Sequence, residues 1–166
     1  AIASAISLWV VEPTGCGLGS DAFAVIWDGE KLHGLNASGK SPASWPSDRF
    51  SNLEKMPFRG WESVTVPGAV SSWITLSEKF GFLPFDNLFE PAINYANEGF
   101  SVSPIISNLW KIGPDELKNE VGFAENFMRN NRAPFSGEIF INKDLGRSLT
   151  LIAETKTKAF YEGELG

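Results

Sequence analysis

Val10-Val11-Glu12-Pro13-Thr14-Gly15-Cys16-Gly17-Leu18-Gly19-Ser20-Asp21-Ala22-Phe23 is an apolar run that halts at a proline, crosses three alternating glycines and enters a second apolar run. The segments on either side are too hydrophobic for solvent, so the stretch joins two buried elements. Glycine at this density predicts positive φ and close backbone approach. The turn is therefore expected inside a layered core, with the site chemistry near it.

Upstream, Ala1 to Val11 is apolar for 11 residues, about half the length of a membrane span. No basic region or small-residue cleavage site marks it as a leader; it reads as a buried helix. It starts without an initiator methionine and without a Ser, Thr, Asp or Asn cap. The expectation is a chain that begins inside a longer protein, an excised or processed piece. The far end, Tyr161-Glu162-Gly163-Glu164-Leu165-Gly166, breaks off just after a helical pattern.

Downstream, Phe23 to Trp27 reads as a strand buried on both faces, Asp28-Gly29 as a hairpin turn, and Lys31 to Asn36 as its antiparallel partner. Pro42, Pro46 and Pro57 make residues 40–60 a loop, and Val64 to Val66 is expected as a short strand. Ala69, Val70, Trp73, Leu76, Ser77 and Phe80 recur at helical spacing until Gly81. Leu88, Phe89, Ala92, Ile93 and Ala96 form another helical face, with Pro91 at the break and Gly99 as its stop. Ser103-Pro104 is a cap with proline in the first turn. Pro114 to Met128 is weakly helical, Glu138 to Ile141 extended, and Asn142 opens a last amphipathic helix through Leu145, Leu149, Ile152 and Ala153. The hairpin sheet is expected beneath the helices of residues 1–11 and 69–80.

Composition sets the class. With 166 residues, 43% hydrophobic and 20% charged, the chain can bury a sizeable core. A net charge of −6 and scattered basic residues give no field for phosphate backbones, so nucleic acid is not expected as a partner. One cysteine, Cys16, and one histidine, His33, rule out an internal disulfide and a Cys/His zinc cluster. No metal or cofactor is called for, and the compartment stays open.

Two motifs invite a nucleotide and fail on context. Gly34-Leu35-Asn36-Ala37-Ser38-Gly39-Lys40-Ser41 fits G-x-x-x-x-G-K-[ST], but a phosphate loop needs a helix running on from it, and Pro42 and Pro46 interrupt one. Gly15-x-Gly17-x-x-Ser20 nearly fits the dinucleotide fingerprint, but runs from helix to strand, the reverse of the required order. Cys16 reads as a small buried hydrophobe and His33 as a packed or surface side chain. No G-x-S-x-G elbow marks a serine nucleophile.

Six segments in order carry a resemblance: Val10 to Pro13 with the glycine turn; Leu35 to Pro42; Val64-Thr65-Val66-Pro67-Gly68-Ala69-Val70; Gly81 to Pro84; Pro91 to Ile93 with Glu98 to Val102; and Ala159 to Gly163. Together they resemble the large subunit of the γ-glutamyltranspeptidase family across nearly the whole chain. The resemblance implies an α/β (α+β) fold, part of the four-layer αββα sandwich of an N-terminal-nucleophile (Ntn) hydrolase. Residues 1–166 would then be a single partial domain of a precursor that cuts itself. It also implies a partner, the small subunit, whose exposed N-terminal threonine is the nucleophile. Such a threonine carries its own base, because its free α-amine takes the hydroxyl proton. No catalytic residue is then expected in this chain, and Thr14, Thr65, Thr75, Thr150, Thr155 and Thr157 are structural.

The resemblance places substrate binding on Asn36, Ser38 and Lys40. The best-known transpeptidases have an arginine at the position of Ser38, whose fork holds the substrate α-carboxylate; here the nearest cation is Lys40. An ammonium lacks bidentate geometry. A γ-glutamyl amide is the expected substrate, with a non-glutamyl amide acylase, a family member without catalysis and a nucleotide module as alternatives.

Overall fold

The apolar run Ala22–Trp27 forms strand β1, paired antiparallel with β2, Leu32–Ala37, in register from Ala22 opposite Ala37 to Trp27 opposite Leu32. The Asp28 N–H donates to the Lys31 carbonyl at 3.2 Å, and Gly29 supplies the positive φ, 107°, that closes the turn. The Asp28 carboxylate accepts the N–H groups of Glu30, at 2.9 Å, and Lys31, at 2.8 Å.

One expectation fails here. β1 is not buried on both faces: Phe23, Val25 and Trp27 are 66, 73 and 62% exposed, and Leu32 across from Trp27 is 67% exposed. The two strands form a sheet by themselves. Continuous hydrophobicity tells that a strand prefers burial on both sides; it does not say which atoms provide it.

The computed structural model describes residues 1–166 and divides into two compact units, Leu18–Leu76 and a second made from Ala1–Gly17 with Ser77–Gly166. In the first, a connection without regular helix or strand runs from Ser38 to Gly60 and ends in a single 3₁₀ turn at Trp61–Ser63. Arg49 steadies it, with its guanidinium 5.2 Å above Trp45 and 5.7 Å above Phe50 and paired with Glu62 at 3.2 Å. The strand expected at Val64 to Val66 is reduced to one bridge, Val66 with Lys40, because Pro67 has no N–H to extend the ladder. Helix α2, Ala69–Phe80, follows, with Ala69, Val70, Ser72 and Trp73 buried.

In the second unit, α1 (Ile2–Val11) and α7 (Lys143–Glu154) each pack on α3 (Glu90–Glu98). Ile6, Trp9, Val10, Phe85, Phe89, Ala92, Ala96, Leu149 and Ile152 are among its buried apolar residues. Ring contacts fix the centre: Phe85 meets Phe89 edge-on at 5.0 Å. In chain order α4 (Pro104–Trp110), α5 (Gly113–Leu117) and α6 (Phe123–Phe127) come between α3 and α7, and the strands β3 (Phe100–Ser101) and β4 (Ile139–Phe140) pair antiparallel. α8 (Lys158–Tyr161) ends the element order. The caps fall where expected: the Ser103 hydroxyl accepts the Ile106 N–H at 3.2 Å, and Asn142 Oδ1 accepts that of Leu145 at 2.9 Å.

Candidate functional site

β2 delivers its last residues into a tight backbone cluster. Asn36 Oδ1 accepts the Ser38 N–H at 2.9 Å, an Asx turn that bends the chain out of the strand. Gly39 then takes φ 78°, and a Cβ built on it would fall 1.9 Å from the Val66 carbonyl oxygen. Only glycine allows that turn and that approach at once. The Val66 N–H donates to the Lys40 carbonyl at 2.8 Å, and the Thr65 hydroxyl donates to the Ser38 carbonyl at 3.2 Å.

Gly68 closes the arrangement. A Cβ on it would lie 2.1 Å from the Ala37 oxygen and 2.7 Å from the Gly39 nitrogen, so the residue just ahead of α2 touches the loop backbone directly. The Ala69 N–H donates to the Ser20 carbonyl at 3.1 Å, which draws the end of the glycine-rich turn to the same place. The three expected binding residues are thus held on one short loop, Asn36 and Lys40 exposed and Ser38 half-buried. The Lys40 ammonium makes no ion pair within the chain.

The glycines of the turn behave otherwise than expected. Gly15, Gly17 and Gly19 have no positive φ, and a Cβ on any of them would meet nothing within 4 Å. The bend is made by the Gly15 and Cys16 N–H groups, which donate to the Glu12 carbonyl at 3.1 and 3.0 Å, a helix-terminal turn any residue can make. Thr14, Gly15 and Gly19 are exposed. The phosphate-loop alternative falls as well: no helix follows Gly39-Lys40-Ser41.

Two features escaped sequence reasoning. His33 Nε2 lies 2.5 Å from Asp28 Oδ2. The Lys31 N–H above all, then His33 and the Glu30 N–H, hold the Asp28 carboxyl well below the ordinary carboxylate range. The spacing of five across a two-residue turn was the available signal. The other is the contact of Thr65 and Gly68 with the loop, which neither the expected strand at Val64 to Val66 nor the family segment indicated; their partners lie 27 or more residues away and leave no periodicity. No three His, Cys, Asp or Glu side chains converge where a metal could sit, and no helix is long and apolar enough to cross a membrane.

Comparison with known proteins places the chain as a whole. The family model described as Gamma-glutamyltranspeptidase matches residues 1–166. The glutathione hydrolase-like YwrD proenzyme of Bacillus subtilis is 37% identical over 99% of the chain, and the acylase ACY 1 proenzyme of a Pseudomonas strain is 30% identical over 100% of it. The chain spans about a third of each, 32%. Among solved structures, cephalosporin acylase from Bacillus halodurans superposes with a TM-score of 0.90 at 40% identity, covering 99% of this chain and 32% of that one. The γ-glutamyltranspeptidase of Helicobacter pylori superposes at 0.91 and 25% identity, covering 99% and 49%. The fold is the mixed helical and antiparallel fold of the matching part of these Ntn-hydrolase chains. By the match of its full length to the family model, this chain belongs to the γ-glutamyltranspeptidase family.

Proposed function

We propose that residues 1–166 are the large-subunit part of an Ntn hydrolase that cleaves γ-glutamyl amides, with Asn36, Ser38 and Lys40 on the loop that faces the substrate. The observation that carries the reading is the family match over the whole chain. Within it, the loop carries the Lys40 ammonium, which has no ion pair in the chain, and its backbone lies against Gly68, just ahead of α2, whose dipole is positive at that end. Both favour an anionic group, such as the α-carboxylate of a γ-glutamyl donor.

The chemistry belongs to a partner. The small subunit of the same precursor supplies an N-terminal threonine; its α-amine takes the hydroxyl proton, the oxygen attacks the amide carbonyl, the C–N bond breaks as the amine leaves with that proton, and the acyl group then passes from the threonine oxygen to water or an acceptor amine. The uncovered apolar face of Phe23, Val25, Trp27 and Leu32 supports such a partner, since an isolated two-stranded hairpin is marginal in water. Residues 1–166 are then one partial domain of the assembled enzyme.

A second reading has its own support. Ser38 cannot form a fork on a carboxylate, and proteins named cephalosporin acylase, at 40% identity, and acylase ACY 1, at 30%, fall on either side of the glutathione hydrolase-like protein at 37%. On that reading the acyl group is not glutamyl. The full precursor, matured and assayed with γ-glutamyl-p-nitroanilide and with an acyl amide lacking the α-carboxylate, separates them. Turnover of the first supports the glutamyl reading, turnover of the second alone the acylase. If neither turns over, both fall, in favour of a family member without catalysis.

A further inference from the structure

We infer that the segment Thr65-Val66-Pro67-Gly68 is a positioning device for the Asn36–Lys40 loop, setting where Ser38 and Lys40 stand without itself touching substrate. The inference rests on the reading that this loop faces the substrate. Its basis is that the loop has only two anchors. On one side is β2, which ends at Ala37. On the other, the chain runs into Ser41–Gly60, which contains no helix or strand to set the position of Lys40.

The second anchor is the segment itself. Thr65 and Val66 donate to the carbonyls of Ser38 and Lys40, two residues apart. The two bonds flank Gly39, so they hold the loop on both sides of its left-handed residue. Steric stops accompany them. Gly39 against the Val66 oxygen and Gly68 against the Ala37 oxygen are backbone-on-backbone approaches, which have no rotamer to relax into.

The segment is fixed in turn, because Ala69 and Val70 directly after it are 1% and 0% exposed. A loop clamped between a strand and a buried helix end is preorganised, and its polar groups need no ordering when a ligand binds. Loosening such a loop restores that ordering cost and weakens binding of the group it holds.

The test uses the complete matured enzyme and three variants. Gly68→Ala adds one methyl against the Ala37 oxygen without altering any side chain of the loop. Thr65→Val removes the hydroxyl at constant volume, and Thr65→Ser restores it. Amide hydrogen exchange at Val66 reads the clamp, and kcat and KM for γ-glutamyl-p-nitroanilide and for the acyl amide read its use.

Faster Val66 exchange is expected in Gly68→Ala and Thr65→Val but not in Thr65→Ser. For whichever substrate is turned over, KM should rise roughly tenfold in Gly68→Ala with kcat within about twofold. Unchanged exchange in both Gly68→Ala and Thr65→Val overturns the clamp, whatever the substrate. A fall in kcat with KM unchanged, alongside a lower Tm, assigns the segment to stability alone and also overturns it. Faster exchange with wild-type kinetics on both amides keeps the clamp but removes the loop from substrate binding, and that sinks the reading beneath it. If Gly68→Ala does not fold, the Thr65 pair, which adds no atoms at the contact, carries the same outcomes.

Discussion

Arg132 grips Glu138 through a paired contact, Nη1 on Oε2 at 3.0 Å and Nη2 on Oε1 at 2.7 Å, while the same Oε2 accepts the Phe135 N–H at 2.8 Å. The guanidinium also lies 3.9 Å from the Phe135 ring centroid. The clasp closes the turn that leads into β4. The Arg132 hydrogen bonds first, and the Phe135 N–H next, lower the Glu138 carboxyl from 4.5 to about 2.

A depressed carboxyl pKa stabilises the fold fully above the unfolded value and loses that contribution as pH falls through the folded one. The clasp should therefore hold undiminished above a pH of about 4.5 and weaken as pH drops toward about 2. Glu138→Gln should lower the unfolding temperature at pH 7, and the gap to wild type should narrow steadily between pH 4.5 and 2.5. Thermal unfolding of both proteins across that range checks it; a gap constant with pH would show that the charge contributes nothing.

Glycine substitutions should divide sharply. Gly99 has φ 99°, and a Cβ there would stand 2.5 Å from Ile139 Cγ2 and 2.9 Å from Ile141 Cγ1. Gly99→Ala should destabilise by about 1–3 kcal/mol. Gly15→Ala and Gly17→Ala meet no neighbour and need no positive φ, so they should be neutral or stabilise by up to about 1 kcal/mol. Denaturant midpoints of the three variants decide this, and a loss at Gly15 equal to that at Gly99 would contradict it.

Val25 sits in the middle of the exposed face of β1, opposite Gly34. Where the partner subunit covers this face, Val25→Asp buries an unpaired charge and should cost on the order of 3–5 kcal/mol of assembly. Val25→Thr keeps the shape and should cost less. Co-purification of the two subunits from the expressed precursor reads the difference. Wild-type assembly of Val25→Asp would place the partner elsewhere.

Lys40→Ala in the complete enzyme should lower kcat/KM for γ-glutamyl-p-nitroanilide by about ten- to a hundredfold, the worth of one charge-assisted hydrogen bond. An analogue without the α-carboxylate should be turned over at nearly the wild-type rate. Equal losses on both, or none on either, would separate Lys40 from the carboxylate.

Legibility in the sequence followed the range of the interaction. Ser103 and Asn142 cap helices by reaching three residues on, and Gly99 ends α3 beside its own last turn; such signals are complete within a few residues. Asp28-Gly29 closed the hairpin for the same reason. Exposure of Phe23 and Trp27 was not legible, since their apolar character is the same whether or not anything covers them. The loop residues Asn36, Ser38 and Lys40 came from family resemblance. What holds them, Thr65, Val66 and Gly68, acts through backbone contacts that no hydrophobic period records.

The packing of α1 on α3 has a consequence for synthesis. About 80 residues separate Val11 from Glu90, among them the whole Leu18–Leu76 unit. At a translation rate of roughly 5–20 residues per second, α1 is finished some 4–16 s before its partner helix begins to be made. Through that interval Ile6, Trp9 and Val10 have no α3 to lie against, while a two-stranded hairpin such as β1–β2 can close within about 10 μs of its residues becoming free. During synthesis α1 is therefore an apolar helix waiting for the partner it packs on, a segment that a ribosome-bound chaperone has reason to shelter.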